Sequence, residues 1–283
     1  MASSTKNVKL GVCKVYLGGV DLGYTQGGVE VSVKTDTHKV EIDQFGKTSI
    51  NELIMARNVM AKIPLAETTL QNLVKTMPGS ALVSDGALAT GSIAFTANPT
   101  ATTTVTVGGQ AFTFQVGKPT TAYQVQIGAN LAATSANFVS VFNRSLIQQT
   151  VGGLTASSNT AGTLVTISAV DMGVAANAVT LAAANGATAS AATLTGGVAE
   201  TKARVDVSIG TSVDLLSVAQ ELRLHPSSRA DNDFAEDFTI FQAATAGALT
   251  FAYKVDSERV YSVEFSGYPD SSGKLFALGD PLA

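Results

Sequence analysis

The chain has 283 residues, 45% of them hydrophobic, a net charge of −4 and a single cysteine, Cys13. That is apolar material for one large domain or two ordinary ones, with no basic excess to neutralise nucleic-acid phosphates and no disulfide framework or cysteine metal cluster. No run approaches the ~18 uncharged apolar residues a membrane helix needs, and MASSTKNVKL lacks the apolar stretch of a secretory signal; the expectation is a soluble protein made in a cytoplasm, with no membrane segment.

Residues 1–10 are polar and read as a mobile terminus, or one ordered only by a neighbour. Cys13 to Leu17 is a short strand, followed by a connection punctuated by Gly18, Gly19, Gly23, Gly27 and Gly28. Val29, Val31 and Val33 then alternate with Glu30, Ser32 and Lys34, and Val40 and Ile42 alternate with Lys39, Glu41 and Asp43. Alternation of period two puts one set of side chains on each face of a sheet. With Thr35 to His38 as a polar turn, this predicts a hairpin with one apolar and one charged face. Gly46 to Ala61 has features of both helix and strand and is assigned to strands, with Val59, Ala61, Ile63 and Leu65 towards one face. Ala66 to Met77 has Leu70, Leu73 and Val74 at helical spacing, and Pro78-Gly79 stops it.

From Thr90 to Ala199 the composition changes. This block holds three charged residues, Lys118, Arg144 and Asp171, against 37 in the other 173 positions. It is still patterned. Ser92–Thr96, Thr102–Val107 and Ala111–Val116 read as strands, the last two joined at Gly108-Gly109. Gly128–Asn143 reads as a helix with Leu131, Phe138, Val139 and Phe142 on one side, and Leu164–Ala169 and Ala178–Ala182 as further strands. The block is therefore expected to be a small α+β domain, 90–199, inserted into a parent formed by 1–89 and 200–283. Beyond it, Ala203–Ile209, Glu221–His225 and Asp237–Phe241 read as strands. Leu249–Val255 and Arg259–Ser266 alternate across Asp256-Ser257-Glu258 as a second hairpin with one wet face.

Chemistry-bearing residues are sparse. His38 and His225 read as surface or turn residues, and Cys13 as a structural thiol with nothing nearby to lower its pKa. Asn143-Arg144-Ser145 fits a glycosylation sequon only in a secreted context. The glycines of 18–28 fit no dinucleotide or phosphate-loop pattern. Lys34, Lys39 and Lys254 are interleaved with acids, which describes a solvated face rather than a nucleic-acid track. No nucleophile, base and orienting group can be assembled, so an enzyme is not expected, nor a cofactor or metal.

Leu17-Gly18 to Val33 (LGGVDLGYTQGGVEVSV), Ile63 to Gly79 (IPLAETTLQNLVKTMPG), and Ala219 to Pro226 (AQELRLHP) with Asp237 to Tyr268 together resemble bacteriophage major tail tube proteins at both ends of the chain, though not in its middle. The resemblance implies a mainly β fold with one packed helix, a β-sandwich or barrel whose long hairpins close a ring. It implies hexameric rings stacked head to tail. A tape measure protein would lie inside the tube, and tail terminator and tail tip proteins at its ends. Phage DNA would pass through without specific binding. The location would be the virion tail, after assembly in the host cytoplasm. On that reading the wet faces of the two hairpins line a lumen, and Glu30, Ser32, Lys34, Glu41, Asp43, Thr250, Ser262 and Glu264 face the channel. A globule of ~13 Å radius, expected for about 110 residues, would collide with a contractile sheath, which favours a non-contractile tail decorated by the insert. The alternatives are a tube subunit of a contractile tail or injection device, and a host-surface glycan binder acting through the insert. The latter would use a flat aromatic platform, whereas Phe95, Phe112, Phe114, Tyr123, Phe138 and Phe142 mostly fall at core-facing positions.

Overall fold

The computed structural model describes residues 11–145 and 153–280; the expectation for residues 1–10 lies outside them. Strand β1 (Cys13–Leu17) turns back through Gly18 and Gly19 onto β2 (Val20–Asp21). Both glycines have positive φ, 56° and 82°, a conformation that costs a side chain with a Cβ. Next come β3 (Glu30–Glu41), β4 (Ser49–Leu65), helix α1 (Leu70–Thr76) and β5 (Ser80–Ser84). The central block supplies β6 (Thr90–Phe95), β7 (Thr104–Val107), β8 (Gln110–Gln115), β9 (Gln124–Gln126), helix α2 (Leu131–Arg144), β10 (Leu154–Ser158), β11 (Leu164–Ala169), β12 (Leu181–Ala184) and β13 (Ala187–Ala189). The chain returns through β14 (Ala203–Val207) to β15 (Gln220–Pro226), β16 (Phe238–Ala244), β17 (Tyr261–Tyr268) and β18 (Phe276–Leu278).

Among the described residues the protein is mainly β with two α-helices, and no sheet closes into a barrel. The largest sheet runs β2-β1-β15-β16-β17-β4-β3, with β18 added to β16. Its two halves share one core: Val15, Leu17, Leu222 and Ile240 from one, Val59, Ile63, Val263 and Phe265 from the other. The halves approach closely at Gly267. A Cβ there would stand 2.3 Å from Val59 Cγ1 and 2.8 Å from Ile240 Cγ2.

A second core is built entirely from residues between Ala89 and Leu194. Two four-stranded sheets, β10-β11-β6-β13 and β12-β7-β8-β9, supply it together with α2. Asn130 caps α2, accepting from the Ala133 amide at 2.9 Å, which satisfies one of the unpaired donors of the first turn. Phe138 and Phe142 from α2 meet Phe112 edge-on and tilted at 5.6 and 5.4 Å. The aromatic residues weighed for a glycan platform are thus spent on packing: Phe95, Phe112, Phe114, Phe138 and Phe142 are all buried.

A two-stranded ribbon, β5 with β14, joins this block to the parent sheet. Asp85 closes its outer end by accepting from the Thr201 and Lys202 amides, each at 2.9 Å, and from the Thr201 hydroxyl. A second attachment lies away from the ribbon. Buried Arg144, at the end of α2, donates Nη2–H to Glu221 Oε2 at 2.5 Å.

Several expectations need correcting. Thr35 to His38 is not a turn: β3 runs straight through it, and the reversal comes at a 3-10 turn over Asp43–Phe45 with Gly46 at φ 64°. Thr35 to His38 contains neither glycine nor proline, and Thr is at home in an exposed strand. The second hairpin is absent, since Leu249 to Val255 forms no strand. That segment is gathered around Arg259, whose guanidinium sits 5.4–5.6 Å from the Phe251, Tyr253 and Tyr261 rings and donates to Thr68 Oγ1 at 2.9 Å. Helix α1 is shorter than expected and buries Asn72 and Thr76 rather than its leucines. It is capped by Thr69, and Asn72 donates to the Leu22 carbonyl at 2.8 Å, so a polar contact ties it to the sheet. In the insert, Ala175–Ala178 is a 3-10 turn and the strand starts at Leu181. Strands β9, β10 and β13 were not foreseen; each is three to five residues long and too short to show a period.

Candidate assembly surface

β3 and β4 form a hairpin much longer than the core it springs from. Near the core the register places Val31 beside Ala61 and Phe265, and Val33 beside Val59, on the inward side. The reverse side carries the rows Glu30–Lys62–Glu264 and Ser32–Met60–Ser266, flanked by Lys34–Asn58 and Ser262–Pro64. Paired residues in a sheet share a face, so Glu30, Ser32, Lys34, Ser262 and Glu264 lie on one side, and all five are exposed.

The other three predicted residues do not join them. With no turn at Thr35 to His38 the alternation never changes phase, and Glu41 falls on the side of Val31 and Val33. Asp43 sits in the 3-10 turn at the hairpin tip. Thr250 lies in the irregular segment around Arg259. All three are exposed.

Past Val33 the hairpin becomes a free arm. From Lys34 to Glu41 it extends roughly 27 Å at ~3.4 Å per residue. From Val33 to Asn58 every side chain is exposed except Val40 and Ile42, which are half-buried. β3 pairs only with β4, and β4 pairs with β17 only from Met60 to Leu65. Two backbone edges are therefore open, and open edges are templates for further strands. The arm is also apolar: Phe45, Ile50, Leu53, Ile54 and Met55 are 49–68% exposed. Irregularities in the β3–β4 register after Asp36 and after Val40 leave Met55 and Ile50 without a directly opposed residue. Unpaired edges on long hairpins are expected from the sequence, but the apolar surface of the arm was missed. Its signal was the cluster Ile50, Leu53, Ile54 and Met55, which fits no single-faced pattern.

Behind the inner sheet lies a buried polar network that sequence reasoning also missed. His225, read as a surface or turn residue, is 1% exposed, with Nδ1 2.7 Å from Asp237 Oδ1. Arg223 Nη1 stands 3.5 Å from Asp237 Oδ2, and its guanidinium lies over the Tyr16 ring at 4.4 Å. Burial draws the guanidinium down from its ordinary pKa, with Asp237 pulling the other way. The loop from Ser227 to Glu236 is tied over this cluster by Lys14–Asp231 at 2.7 Å and by Arg229 to Asp233 and Glu236. The His–Asp pair is sealed from solvent.

Other candidates resolve locally. Among the described residues no group of three or more His, Cys, Asp and Glu is placed to hold a metal ion, and no helix is long and apolar enough to cross a membrane. Cys13 is half-buried, and burial raises its thiol pKa. The Asn143 side chain is held by the Ala156 backbone in both directions, at 3.0 and 2.8 Å. His38 is an exposed strand residue of β3. No family model matches the chain, and no curated protein matches it.

Proposed function

We propose that this chain is a structural subunit that oligomerises into stacked rings, forming a phage-type tail tube through which DNA passes. The observation that carries the reading is the β3–β4 arm: two open edges and an apolar surface on a hairpin that extends beyond its own core. Such an arm is an aggregation hazard in a monomer. A closed ring of copies removes the edges by pairing each arm with the next. Covering each of these half-exposed large apolar side chains then contributes up to about 1.5 kcal/mol.

In that assembly the side carrying Glu30, Ser32, Lys34, Lys62, Ser262 and Glu264 faces the channel. Mixed charge suits a conduit. Phosphate contacts add, and an uninterrupted lysine track would hold DNA rather than let it slide. The insert, hung on the β5–β14 ribbon and Arg144–Glu221, decorates the outside. Hexameric rings, the tape measure, terminator and tip partners, and residence in a virion tail belong to the same proposal.

Negative-stain electron microscopy of the purified chain at high concentration tests it. Rings or tubes with a central channel and outward knobs are expected. Monomers at every concentration, both alone and with added tail tip complexes, would count against it.

A further inference from the structure

The loop from Ser227 to Glu236 meets the parent sheet through a handful of named contacts. The Ser227 amide donates to the Val12 carbonyl at 2.9 Å. Asp231 Oδ1 accepts from Lys14 Nζ at 2.7 Å, and buried Phe234 lies edge-on to His225 at 6.5 Å. The charged and titratable groups around the His225 ring come from several elements. Lys14 and Tyr16 on β1 pair in register with His225 and Arg223. Arg223 shares its strand, Asp237 comes from β16, and Asp231 comes from the loop. Arg229, Asp233 and Glu236 of the loop pair with one another.

The tautomer of His225 follows from its partners. Nδ1 lies 2.7 Å from Asp237 Oδ1. A carboxylate only accepts, so Nδ1 carries the proton and Nε2 of the neutral ring is a bare acceptor. Among the described residues Nε2 has no hydrogen-bond partner, and it stands 3.9 Å from Asp231 Oδ1, the oxygen that receives Lys14. Acceptor therefore meets acceptor in a buried place, which costs free energy. A proton on Nε2 turns the same two groups into donor and acceptor of opposite charge, and closing the gap by about 1 Å makes a charge-assisted hydrogen bond. We propose that His225 is a proton-operated clamp on the loop. Protonated, it donates Nε2–H to Asp231 and draws the loop onto the sheet; neutral, it leaves the loop to Lys14 and Phe234. Histidine changes charge between about pH 5 and 8, so the clamp is closed at the acid end of that window and released as pH rises. The inference concerns a single chain and stands apart from the tube reading.

Hydrogen exchange of the full chain, followed by mass spectrometry and corrected for the intrinsic pH dependence of exchange, reads the loop directly. Protection of peptides from 227–236 should rise about tenfold from about pH 8 to about pH 5.5, the scale of one charge-assisted hydrogen bond, while protection of β17 stays constant. Asp231 is 24% exposed, so Asp231→Ala should keep the fold, lower loop protection at both pH values and abolish the rise. Proton–nitrogen correlation spectra of the imidazoles add a second readout. The chain has two histidines, and His225 should show the Nδ1–H tautomer at the alkaline end. An Nε2–H tautomer there would overturn the proposal, as would equal loop protection at both pH values or an equal rise in wild type and Asp231→Ala. A rise shared by β17 would also overturn it, because that outcome assigns the effect to the stability of the whole sheet.

Discussion

Gly267 and Asp237 are the two residues on which the parent core turns, for opposite reasons. Gly267 matters for what it lacks. Its missing Cβ leaves room for Val59 and Ile240, whose side chains would stand 2.3 and 2.8 Å from it. Gly267→Ala should therefore cost about 1–3 kcal/mol through overpacking, read as a lower urea midpoint at unchanged slope. Asp237 matters for what it compensates. It is fully buried between His225 and Arg223, and removing one partner of a buried pair leaves the others uncompensated. Asp237→Ala should cost about 3–5 kcal/mol, measurable by chemical denaturation. His225 and Arg223 alternate with Leu222 and Leu224 along β15, so the alternation was visible in the sequence. What it left out was the loop from Ser227 to Glu236, which folds over the polar side and buries it.

Among the elements, the arm and the ribbon behave differently because one lacks partners and the other is closed. Ile54→Lys with Met55→Lys changes exposed positions, so monomer stability should stay within about 0.5 kcal/mol of wild type. If the arm is the assembly surface, the same variant should lose rings and tubes in electron micrographs; rings in normal yield would argue against that role. The ribbon is closed by Asp85, whose carboxyl is drawn from its ordinary 3.8 to about 2, first by the Thr201 hydroxyl and then by the Lys202 and Thr201 amides. The folded state thus binds fewer protons than the unfolded one in this window. The stabilisation is full above pH 3.8 and is lost as pH falls through about 2. Asp85→Asn should lower the thermal midpoint at pH 6 and match wild type near pH 2, a convergence that a pH series by circular dichroism would detect.

At the scale of the described residues, two cores with no shared residue are linked by the β5–β14 ribbon and by the Arg144–Glu221 ion pair. Deleting residues 90–199 removes all of the second core except Ala89. It leaves Glu221 without Arg144, but Glu221 is 31% exposed and water can solvate it. The shortened chain should retain a cooperative unfolding transition, and under the tube reading its rings should be narrower and smooth in outline. Loss of cooperativity would mean that the parent sheet depends on the insert.

Elements with a strong local signature were legible from sequence alone. The Val29–Val33 alternation, the Phe138–Phe142 helix face and the Gly108-Gly109 turn each rest on neighbours in sequence, where period and turn chemistry decide the outcome. Five of the eight proposed channel residues could be grouped for the same reason. Glu41, Asp43 and Thr250 could not, because a strand's phase and end depend on where the turn forms, and a strand exists only where a partner edge is free. The Arg259–Thr68 contact, the packing at Gly267 and the sealed His225–Asp237 pair join residues from 12 to 208 positions apart. Only the tertiary structure decides such contacts, since their energy appears once distant segments have already been brought together.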